Sequence, residues 1–460
     1  MNPAELQKHR PGAANADDNA LFSKLDWHIL PPLIICYVVA AIDRINIGYA
    51  KLQMQETLAF SDEAYAFGAG VFLIGYFLFA VPSNLLLDKI GARKTLLRIM
   101  FCWGLCAAAM VFVQSTTMFY LLRFLLGALE AGFFPGVILY LTYWYPAARR
   151  GKAIAIFMTG VALAYLLVGP TSGAIIKYAE GWLGYHGWQW LFVVQGLPAS
   201  ALGIVAFFVL KDKPEQASWL TDAEKAALRR HLDTDAQAVE TASHASLGDL
   251  LRDPRIYMLS LIWILLHGAH VGMVFWLPTL IKSWRVADPL VVGLLVAFPA
   301  LLGIVAMVGF GRSSDRNLER RWHFFLSCAL ASAGILVAII AQGNLVVSVA
   351  GLCLLGVGQA ASGPMLFTAF SEYIPKKTAA AGIALISSLG NLGPALMPSV
   401  SIWINTTTGT PANSMYLAIT LYLTAGAILI VVLRPSASRR ERRVDENHSV
   451  EPRPARESER

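Results

Sequence analysis

The chain has 460 residues, of which 56% are hydrophobic and only 15% are charged. An average soluble domain is about 25% charged, so this composition excludes an ordinary soluble protein, and the recurring long apolar runs predict a chain that crosses a membrane many times. The formal net charge of +7 does not indicate a nucleic-acid partner, because the Lys and Arg residues concentrate in short polar connections between the apolar runs.

Apolar runs of bilayer length predict an all-α membrane protein with twelve transmembrane helices. Residues 1–24 are polar and are expected to form a cytoplasmic N-terminal segment. They lack the short apolar core and small-residue cleavage site of a signal peptide. The predicted spans lie near 29–50, 65–87, 95–114, 118–144, 152–177, 188–210, 256–281, 290–311, 323–342, 345–370, 378–403 and 414–434.

Basic residues are distributed unevenly between the two ends of these spans. The connections 88–98, 145–152, 312–321 and 375–377 carry most of them, whereas the opposite connections hold only Lys51, Lys177, Lys282 and Arg285. Cytoplasmic loops are enriched in Lys and Arg, so the richer end is expected to be cytoplasmic. Both termini are then cytoplasmic, which agrees with an even number of spans.

Two polar regions lie outside the spans. Residues 211–255 form the one long connection, a predicted cytoplasmic linker. Within it, Thr221 and Glu224 have the spacing of a capping box, which predicts a short surface helix. The tail, residues 435–460, is rich in Arg, Glu and Ser and is expected to be disordered in the cytoplasm.

The two halves of the chain resemble each other. LLGALEAGFFP at 125–135 aligns without gaps onto LLGVGQAASGP at 354–364, and the polar loop at Asp88 matches the loop at Asp315 at nearly the same offset. These matches predict two pseudo-symmetric six-helix bundles. Parallel repeats of this kind place a binding site between the halves, near the bilayer midplane. The two bundles cover 25–210 and 256–434.

Charged residues inside the spans are the main functional signal. Arg123 and Glu130 lie in the fourth span, and each costs roughly 2.5–3.5 kcal/mol at the centre of a membrane helix. Their spacing of seven residues places them on one helical face. A buried structural ion pair and a substrate or proton site both remain open. In the repeat Glu130 is opposite Gln359, so the charge is present in one half only, which favours a site.

Loop motifs and topology together resemble the major facilitator superfamily. Its signature between helices 2 and 3 is roughly G-x-x-x-D-R-x-G-R-R. Here the stretch 84–94 is similar but has Asn84 in place of Gly and Lys89 in place of Arg, whereas the second copy keeps Gly311. The resemblance implies a gate on the cytoplasmic side, although the loops could serve topology alone. The implied gating residues are Asp88, Arg93, Asp315 and Arg316.

More specifically, the chain is similar to the anion:cation symporter family of bacterial organic-acid transporters. This resemblance covers residues 25 to 434 and is carried by IDRINIGYAK, FAVPSNLLLDKIGARK, RFLLGALEAGFFPGVILYLTYWYP and KPEQASWLTDAEK. It implies import of small carboxylates together with protons. It also implies that helix 1 and helix 4 supply the residues for substrate binding and proton coupling, namely Asp43, Arg44, Arg123 and Glu130.

These four residues are expected to have separate roles. Asp43 and Glu130 are candidates for proton coupling. Arg44 is expected to bind the substrate carboxylate, because a guanidinium stays charged and can donate two parallel hydrogen bonds. Arg123 is expected to contribute to substrate binding and to pair with Glu130.

Other polar residues in the spans are weaker candidates. Tyr76 and Asn391 could hydrogen-bond the substrate, or could be satisfied core groups. His267 and His270 are three residues apart and share a helical face, and a structural role is favoured for both. The five Cys residues lie in apolar runs without a C-x-x-C pair, so no disulfide, metal or cofactor is expected.

The sequence therefore predicts a secondary active transporter of a bacterial inner membrane. It is expected to work as a monomer that imports a small organic acid anion by proton symport. A proton-independent facilitator or exporter is the alternative. A membrane receptor or enzyme is less favoured, because the spans show neither a nucleophile–base pair nor metal-ligand spacing and no soluble output domain follows.

Overall fold

The computed structural model describes residues 11–242, 252–317, 319–341, 344–373, 379–410 and 412–432. The predicted disordered tail, residues 1–10 and the basic connection 375–377 lie outside these ranges. Every regular element within them is helical, and they contain no β-strand. The predicted all-α class is therefore confirmed for the described chain.

The first half contains eight α-helices, and all except the second contribute residues to one buried apolar cluster. Proline lies inside several of them, at positions where neighbouring helices can satisfy the freed backbone groups. The helices are α1 (Pro11–Ile45), α2 (Ile47–Leu58), α3 (Asp62–Ile90), α4 (Ala92–Ala108), α5 (Thr116–Glu130), α6 (Phe133–Thr142), α7 (Ala147–Tyr178) and α8 (Gly187–Val209).

The second half has a separate buried cluster, formed by residues from Ile256 to Leu429. A linker helix, α9 (Asp222–Ala242), precedes it. The remaining helices are α10 (Pro254–Ser283), α11 (Pro289–Asn317), α12 (Arg321–Ile340), α13 (Leu345–Tyr373), α14 (Ala379–Gly390), α15 (Leu392–Thr408) and α16 (Ala412–Val432).

Eleven helical segments in the described chain are long and apolar enough to cross a membrane. The twelfth predicted span, near 378–403, is present as α14 and α15, which are separated at Asn391 and are therefore each shorter than a full span. The first helix also begins earlier than predicted, at Pro11, because Leu21, Phe22 and Leu25 are buried in the first cluster and extend its packing face.

The most pronounced helix break lies between α5 and α6. Ala131 has an extended ψ of 131°, and Gly132 has a φ of 92°, in the left-handed region that glycine adopts without a steric penalty. The chain thus stops being helical directly after Glu130. In membrane proteins such discontinuities are tolerated where they are buried in protein or line a cavity.

The linker helix α9 packs on the first half. Thr221 and Glu224 form the predicted capping box, with the Glu224 carboxylate accepting from the Thr221 backbone N–H at 2.7 Å and the Thr221 hydroxyl accepting from the Glu224 backbone N–H at 3.3 Å. Lys24 of α1 forms an ion pair with Glu224 at 2.9 Å. Just before α9, Trp219 stacks on the His28 ring at 4.3 Å.

The two halves meet through α7 against α11, α3 against α15, and α2 against α10. We call the end of the bundle where the linker attaches the linker side, and the opposite end the far side. Lys51 of α2 lies over the Trp276 ring of α10 at 4.0 Å. On the same side, Lys282 pairs with Glu56 at 2.7 Å. These contacts hold the halves together on the far side.

Two glycines form the closest crossing of the halves on this side. A Cβ atom at Gly169 of α7 would collide with the backbone carbonyl of Gly293 in α11, and one at Gly293 would collide with the carbonyl of Gly169. The two backbones therefore touch directly. Close backbone approach of membrane helices generally requires such small residues.

Candidate functional site

An ion pair between α1 and α5 lies at the centre of the candidate site. The Nε atom of Arg44 donates to Oε1 of Glu130 at 2.5 Å. The Glu130 side chain is 1% exposed, whereas that of Arg44 is 35% exposed. Arg44 lies in the last turn of α1, where the helix dipole favours a cation, but Glu130 ends α5, where the dipole disfavours an anion. The ion pair with Arg44 is therefore the contact that compensates the unfavourable position of the Glu130 carboxylate.

Asp43 occupies a different environment from its neighbour in sequence. It is buried, its Oδ1 accepts from Asn46 Nδ2 at 3.1 Å, and its Oδ2 accepts from Trp103 Nε1 at 2.5 Å. Adjacent residues on a helix point about 100° apart, which explains how Arg44 reaches Glu130 while Asp43 turns toward α4. Asp43 is thus held by two neutral donors.

Arg123 is buried near the ion pair of Arg44 with Glu130 but contacts other groups. Its Nε donates to the Gly68 carbonyl at 3.3 Å, its guanidinium lies over the Phe72 ring at 4.8 Å, and its Nη1 is buried without a hydrogen-bond partner. The expected pairing of Arg123 with Glu130 is not the one found, since Arg44 forms the ion pair. Arg44 reaches Glu130 because both lie at the adjoining ends of their helices.

Three tyrosines interact with Arg44. Its guanidinium lies over the Tyr76 ring at 5.0 Å. Tyr37 of α1 and Tyr165 of α7 are close enough to interact electrostatically with Arg44. All three tyrosines are half-buried. The half-exposed guanidinium is therefore bordered by groups that can both pack against a ligand and hydrogen-bond it.

The second half contributes uncharged polar groups. His267 of α10 interacts electrostatically with Arg44 of the first half. His270 Nε2 is 3.1 Å from the Ser362 hydroxyl, and Gln359 Nε2 donates to the His270 carbonyl at 3.3 Å. Asn391 lies at the break between α14 and α15 with an exposed side chain. Gln359, the repeat equivalent of Glu130, is therefore bound to its own half.

The expected gating residues contact groups within their own halves. Arg93 donates to the Phe207 carbonyl through Nε at 2.9 Å and lies over the Phe207 ring, and its backbone N–H donates to Asp212. Asp315 forms an ion pair with Arg320 at 2.6 Å, and Arg316 is exposed. Asp88 is not among the residues whose side chains the structure describes. The gating role of these four residues stays a prediction.

Metal ligation finds no support in the part of the chain that the structure describes. Those residues contain no group of three or more His, Cys, Asp or Glu side chains that could hold a metal ion. The five Cys residues are all free thiols.

Three residues of the site were not identified from the sequence. Trp103 and Asn46 hold the Asp43 carboxylate, and Tyr165 of α7 interacts electrostatically with Arg44. Asn46 lies three residues after Asp43, a helical spacing that could have been noticed. Trp103 and Tyr165 lie on other helices in runs of ordinary apolar composition, so only the packing identifies them.

Comparison with known families explains this arrangement. The model of the Major Facilitator Superfamily matches residues 33–398, and matches again over 285–457. The chain belongs to the Major Facilitator Superfamily. It is therefore a multi-pass membrane transporter and not an enzyme, and the resemblance found in its sequence motifs is confirmed.

Two bacterial relatives cover nearly the whole chain. A protein of Agrobacterium vitis named "Putative tartrate transporter" is 40% identical over 92% of this chain and 94% of its own length. The "Putative metabolite transport protein NicT" of Pseudomonas putida is 40% identical over 86% of this chain and 91% of its own length. Both alignments therefore extend over more than 90% of the relatives' own lengths.

A solved structure supports the fold. The bacterial homolog of the human lysosomal transporter Spinster, in an inward-facing and unoccupied conformation, superposes with a TM-score of 0.71. It is 17% identical and covers 88% of this chain and 96% of its own chain. The predicted major facilitator fold of two six-helix bundles is therefore confirmed.

Proposed function

We propose that this transporter imports a small organic acid anion together with protons, by alternating access. The observation that carries the proposal is the ion pair between Arg44 and Glu130, in which one partner is fully buried and the other is one-third exposed. An exposed guanidinium with a replaceable carboxylate partner is a binding site for another carboxylate. The relatives named for tartrate transport support an organic acid as the substrate class.

Competition for Arg44 provides the coupling. The Nε–H of Arg44 already donates to Glu130, so a substrate carboxylate that takes this bond leaves Glu130 buried without a counter-charge. An uncompensated buried carboxylate costs several kcal/mol. Protonation of Glu130 removes that cost, because a neutral carboxyl group no longer needs the cation. Substrate binding and protonation of Glu130 therefore favour each other.

Asp43 is proposed as a second proton site. Two donors stabilise its charged form, and Arg123 and Arg44 both interact with it electrostatically. With Asp43, Arg44, Arg123 and Glu130 all ionised, the buried set has no net charge. A proton on either acid makes the set positive and thereby attracts a substrate anion.

The orientation follows from the distribution of basic residues. We propose that the linker side faces the cytoplasm, that the protein is a monomer in the inner membrane, and that both termini are cytoplasmic. The far-side contacts of Lys51 with Trp276 and of Lys282 with Glu56 then close the outer entrance. Asp88, Arg93, Asp315 and Arg316 would act when the opposite side closes.

The test is the variant Glu130→Gln in proteoliposomes with labelled tartrate. Gln keeps the shape of a protonated Glu but has no proton to release, so the empty carrier is unable to reset. We expect proton-driven accumulation to fall at least tenfold, while counterflow of internal for external substrate persists. Glu63→Gln makes the same chemical change at an exposed position and should behave as wild type.

Two outcomes would contradict this proposal. Normal proton-driven accumulation by Glu130→Gln would remove Glu130 from the proton path. Accumulation by the wild type that ignores the proton gradient would instead indicate a facilitator. A further variant tests whether Arg44 binds the substrate carboxylate. Arg44→Lys keeps the charge but loses the planar guanidinium group, and should weaken substrate binding about tenfold in both assays.

A further inference from the structure

The two hydrogen-bond donors of Asp43 differ in what else they can do. Trp103 Nε1 donates to Oδ2 at 2.5 Å, and Asn46 Nδ2 donates to Oδ1 at 3.1 Å. An indole N–H only donates, whereas a side-chain amide donates through its nitrogen and accepts through its oxygen. Trp103 therefore needs an acceptor at Oδ2 whatever the charge of Asp43, and of the two donors only Asn46 can become an acceptor.

The acceptor half of the Asn46 amide is unused in the present arrangement. Asn46 is 0% exposed, and its Oδ1 is buried without a hydrogen-bond partner. An unpaired buried acceptor is unfavourable. Because protein encloses this oxygen, a donor for it has to come from the residues around it. Asp43, which the same amide already contacts, supplies such a donor once its carboxyl group is protonated.

A proton on Asp43 has one favourable position. On Oδ2 it would point at the Trp103 N–H, which has no acceptor to offer. On Oδ1 it points at the Asn46 amide. A half turn of this amide replaces its nitrogen by its oxygen, so that the new O–H of Asp43 donates to Oδ1 of Asn46. The amide thus keeps a hydrogen bond with Asp43 in either charge state.

Other charged and titratable groups around Asp43 do not offer this exchange. Those that interact with it electrostatically are Arg44 of α1, Cys106 of α4, and Arg123 and Glu130 of α5. The guanidinium groups only donate, and a thiol is a weak acceptor. The Glu130 carboxylate accepts from Arg44 instead. Of the described side chains that act on Asp43, Asn46 alone contacts a carboxyl oxygen and is able both to donate and to accept.

We propose that Asn46 is a positioning residue for proton coupling, which donates to Asp43 when that residue is ionised and accepts from it when it is protonated. This inference rests on the proposed function, in which Asp43 is a proton site. Buried polar groups are costly when they lose their hydrogen bonds. The exchange of roles lets the Asp43 carboxyl group gain and release a proton while the contact with Asn46 persists.

The variant Asn46→Asp tests this role in proteoliposomes. Two carboxyl groups at hydrogen-bonding distance share one proton, because both do not readily ionise side by side. If that proton is held through one further pH unit, the deprotonated carrier is about tenfold rarer. We therefore expect proton-driven accumulation of labelled tartrate to fall about tenfold while counterflow persists. An internal pH raised by about one unit should recover most of the loss.

A matched control is Asn405→Asp in the second half. Oδ1 of Asn405 accepts from the Ser414 backbone N–H at 3.3 Å, and its Nδ2 is buried without a partner. The substitution is chemically the same, but this side chain contacts a backbone donor and not a carboxyl group. Asn405→Asp should keep the wild-type ratio of accumulation to counterflow at each internal pH.

Infrared difference spectra between neutral and acidic pH report the hydrogen bond without any transport. In the wild type, a carboxyl band that is absent from Asp43→Asn should appear on acidification. An asparagine amide band, identified by heavy-carbon labelling of asparagine, should shift together with it. The amide shift should be missing from Asn46→Leu, which is similar in size but has no amide at this position.

The outcomes separate this inference from the proposed function. A carboxyl band of Asp43 that appears without a shift of the Asn46 amide would overturn the inference alone. So would Asn46→Asp that accumulates tartrate like the wild type, or that loses accumulation and counterflow equally without recovery at higher internal pH. Normal accumulation by Asp43→Asn, with no carboxyl band that depends on Asp43, would count against both. Failure of the wild type to move tartrate would count against the proposed substrate, and the spectra would still decide on Asn46.

Discussion

The two halves of this transporter share an architecture but differ in where they carry charge. In the first half, α5 contains Arg123 and Glu130 and is followed directly by the break at Gly132. In the second half, α13 has Leu352 and Gln359 at the equivalent positions and continues as one helix through Ala361.

This difference separates two tasks. The ion pair of Arg44 with Glu130 and the buried side chains of Asp43 and Arg123 all lie in the first bundle. The second bundle has uncharged polar residues, Gln359 and Asn391, at the positions named above. Under the proposed function, coupling is a local exchange of partners within the first half.

The largest expected effect comes from giving the first half a residue of the second. Arg123→Leu copies Leu352 into α5 and removes a buried cation beside Asp43. Without it, the buried set of Asp43, Arg44 and Glu130 keeps one negative charge that no cation compensates. Leaving a buried charge uncompensated costs about 3–5 kcal/mol, so we expect a loss of that size in the free energy of unfolding in detergent. Denaturant titration measures it.

A control and a double variant complete this test. Arg316→Leu removes an exposed arginine and should change stability by less than about 0.5 kcal/mol. Adding Asp43→Asn to Arg123→Leu should recover part of the loss, because the unpaired carboxylate is gone. If Arg123→Leu unfolds like the wild type, the buried charges of the first half do not depend on one another.

A smaller effect is expected from changing the break itself. Gly132→Ala copies Ala361, but a φ of 92° is unfavourable for a residue with a Cβ and costs about 1–3 kcal/mol. The control, Gly363→Ala, lies inside α13 with open space around its Cβ position, and should be neutral or stabilising by up to about 1 kcal/mol. Thermal unfolding of both variants measures the difference. Equal effects of the two substitutions on stability would show that the backbone at Gly132 is not held in the left-handed region.

The smallest effect concerns the linker helix α9. The contacts described for it above are with the first half. The ion pair with Lys24, and then the Thr221 backbone N–H, lower the pKa of Glu224 below 4.5. This stabilisation is present above that value and is lost as the pH falls through the lowered pKa. Lys24→Met should reduce hydrogen-exchange protection of α9 by less than about fivefold, since exposed pairs contribute up to about 1 kcal/mol.

The matched control for this pair is Lys152→Met. It removes the more exposed and longer ion pair with Asp26, at 3.3 Å, and should leave α9 protected as in the wild type. In Lys24→Met the protection should also depend less on pH between 5 and 3. If the hydrogen-exchange protection of α9 falls with pH in the same way in Lys24→Met and in the wild type, Lys24 does not stabilise the charged form of Glu224.

Periodicity and motifs predicted much of this molecule because bilayer length and loop charge are local properties of a sequence. The spans, the repeat and the capping box at Thr221 and Glu224 all follow from short stretches. The run SSLGNLGP also marked the place where α14 and α15 separate at Asn391. These features require no knowledge of which helices touch.

The partners in the site could not be predicted in the same way. Arg44 and Glu130 are 86 residues apart, and the choice of Arg44 over Arg123 depends on which helix ends adjoin. Trp103 is bound to Asp43 from another helix, and nothing in its local sequence distinguishes it from other membrane tryptophans. Pairing across helices is decided by packing, which a single sequence does not specify.

The direct backbone crossing of Gly169 and Gly293 has a mechanical consequence. Side chains that interdigitate must unlock before two surfaces can roll over each other, but here neither helix has one at the crossing point. The two halves can therefore rotate about this crossing with little steric resistance. Because the crossing lies toward the far side, a rotation of a few degrees would move the helix ends on the linker side much further than the helix ends on the far side.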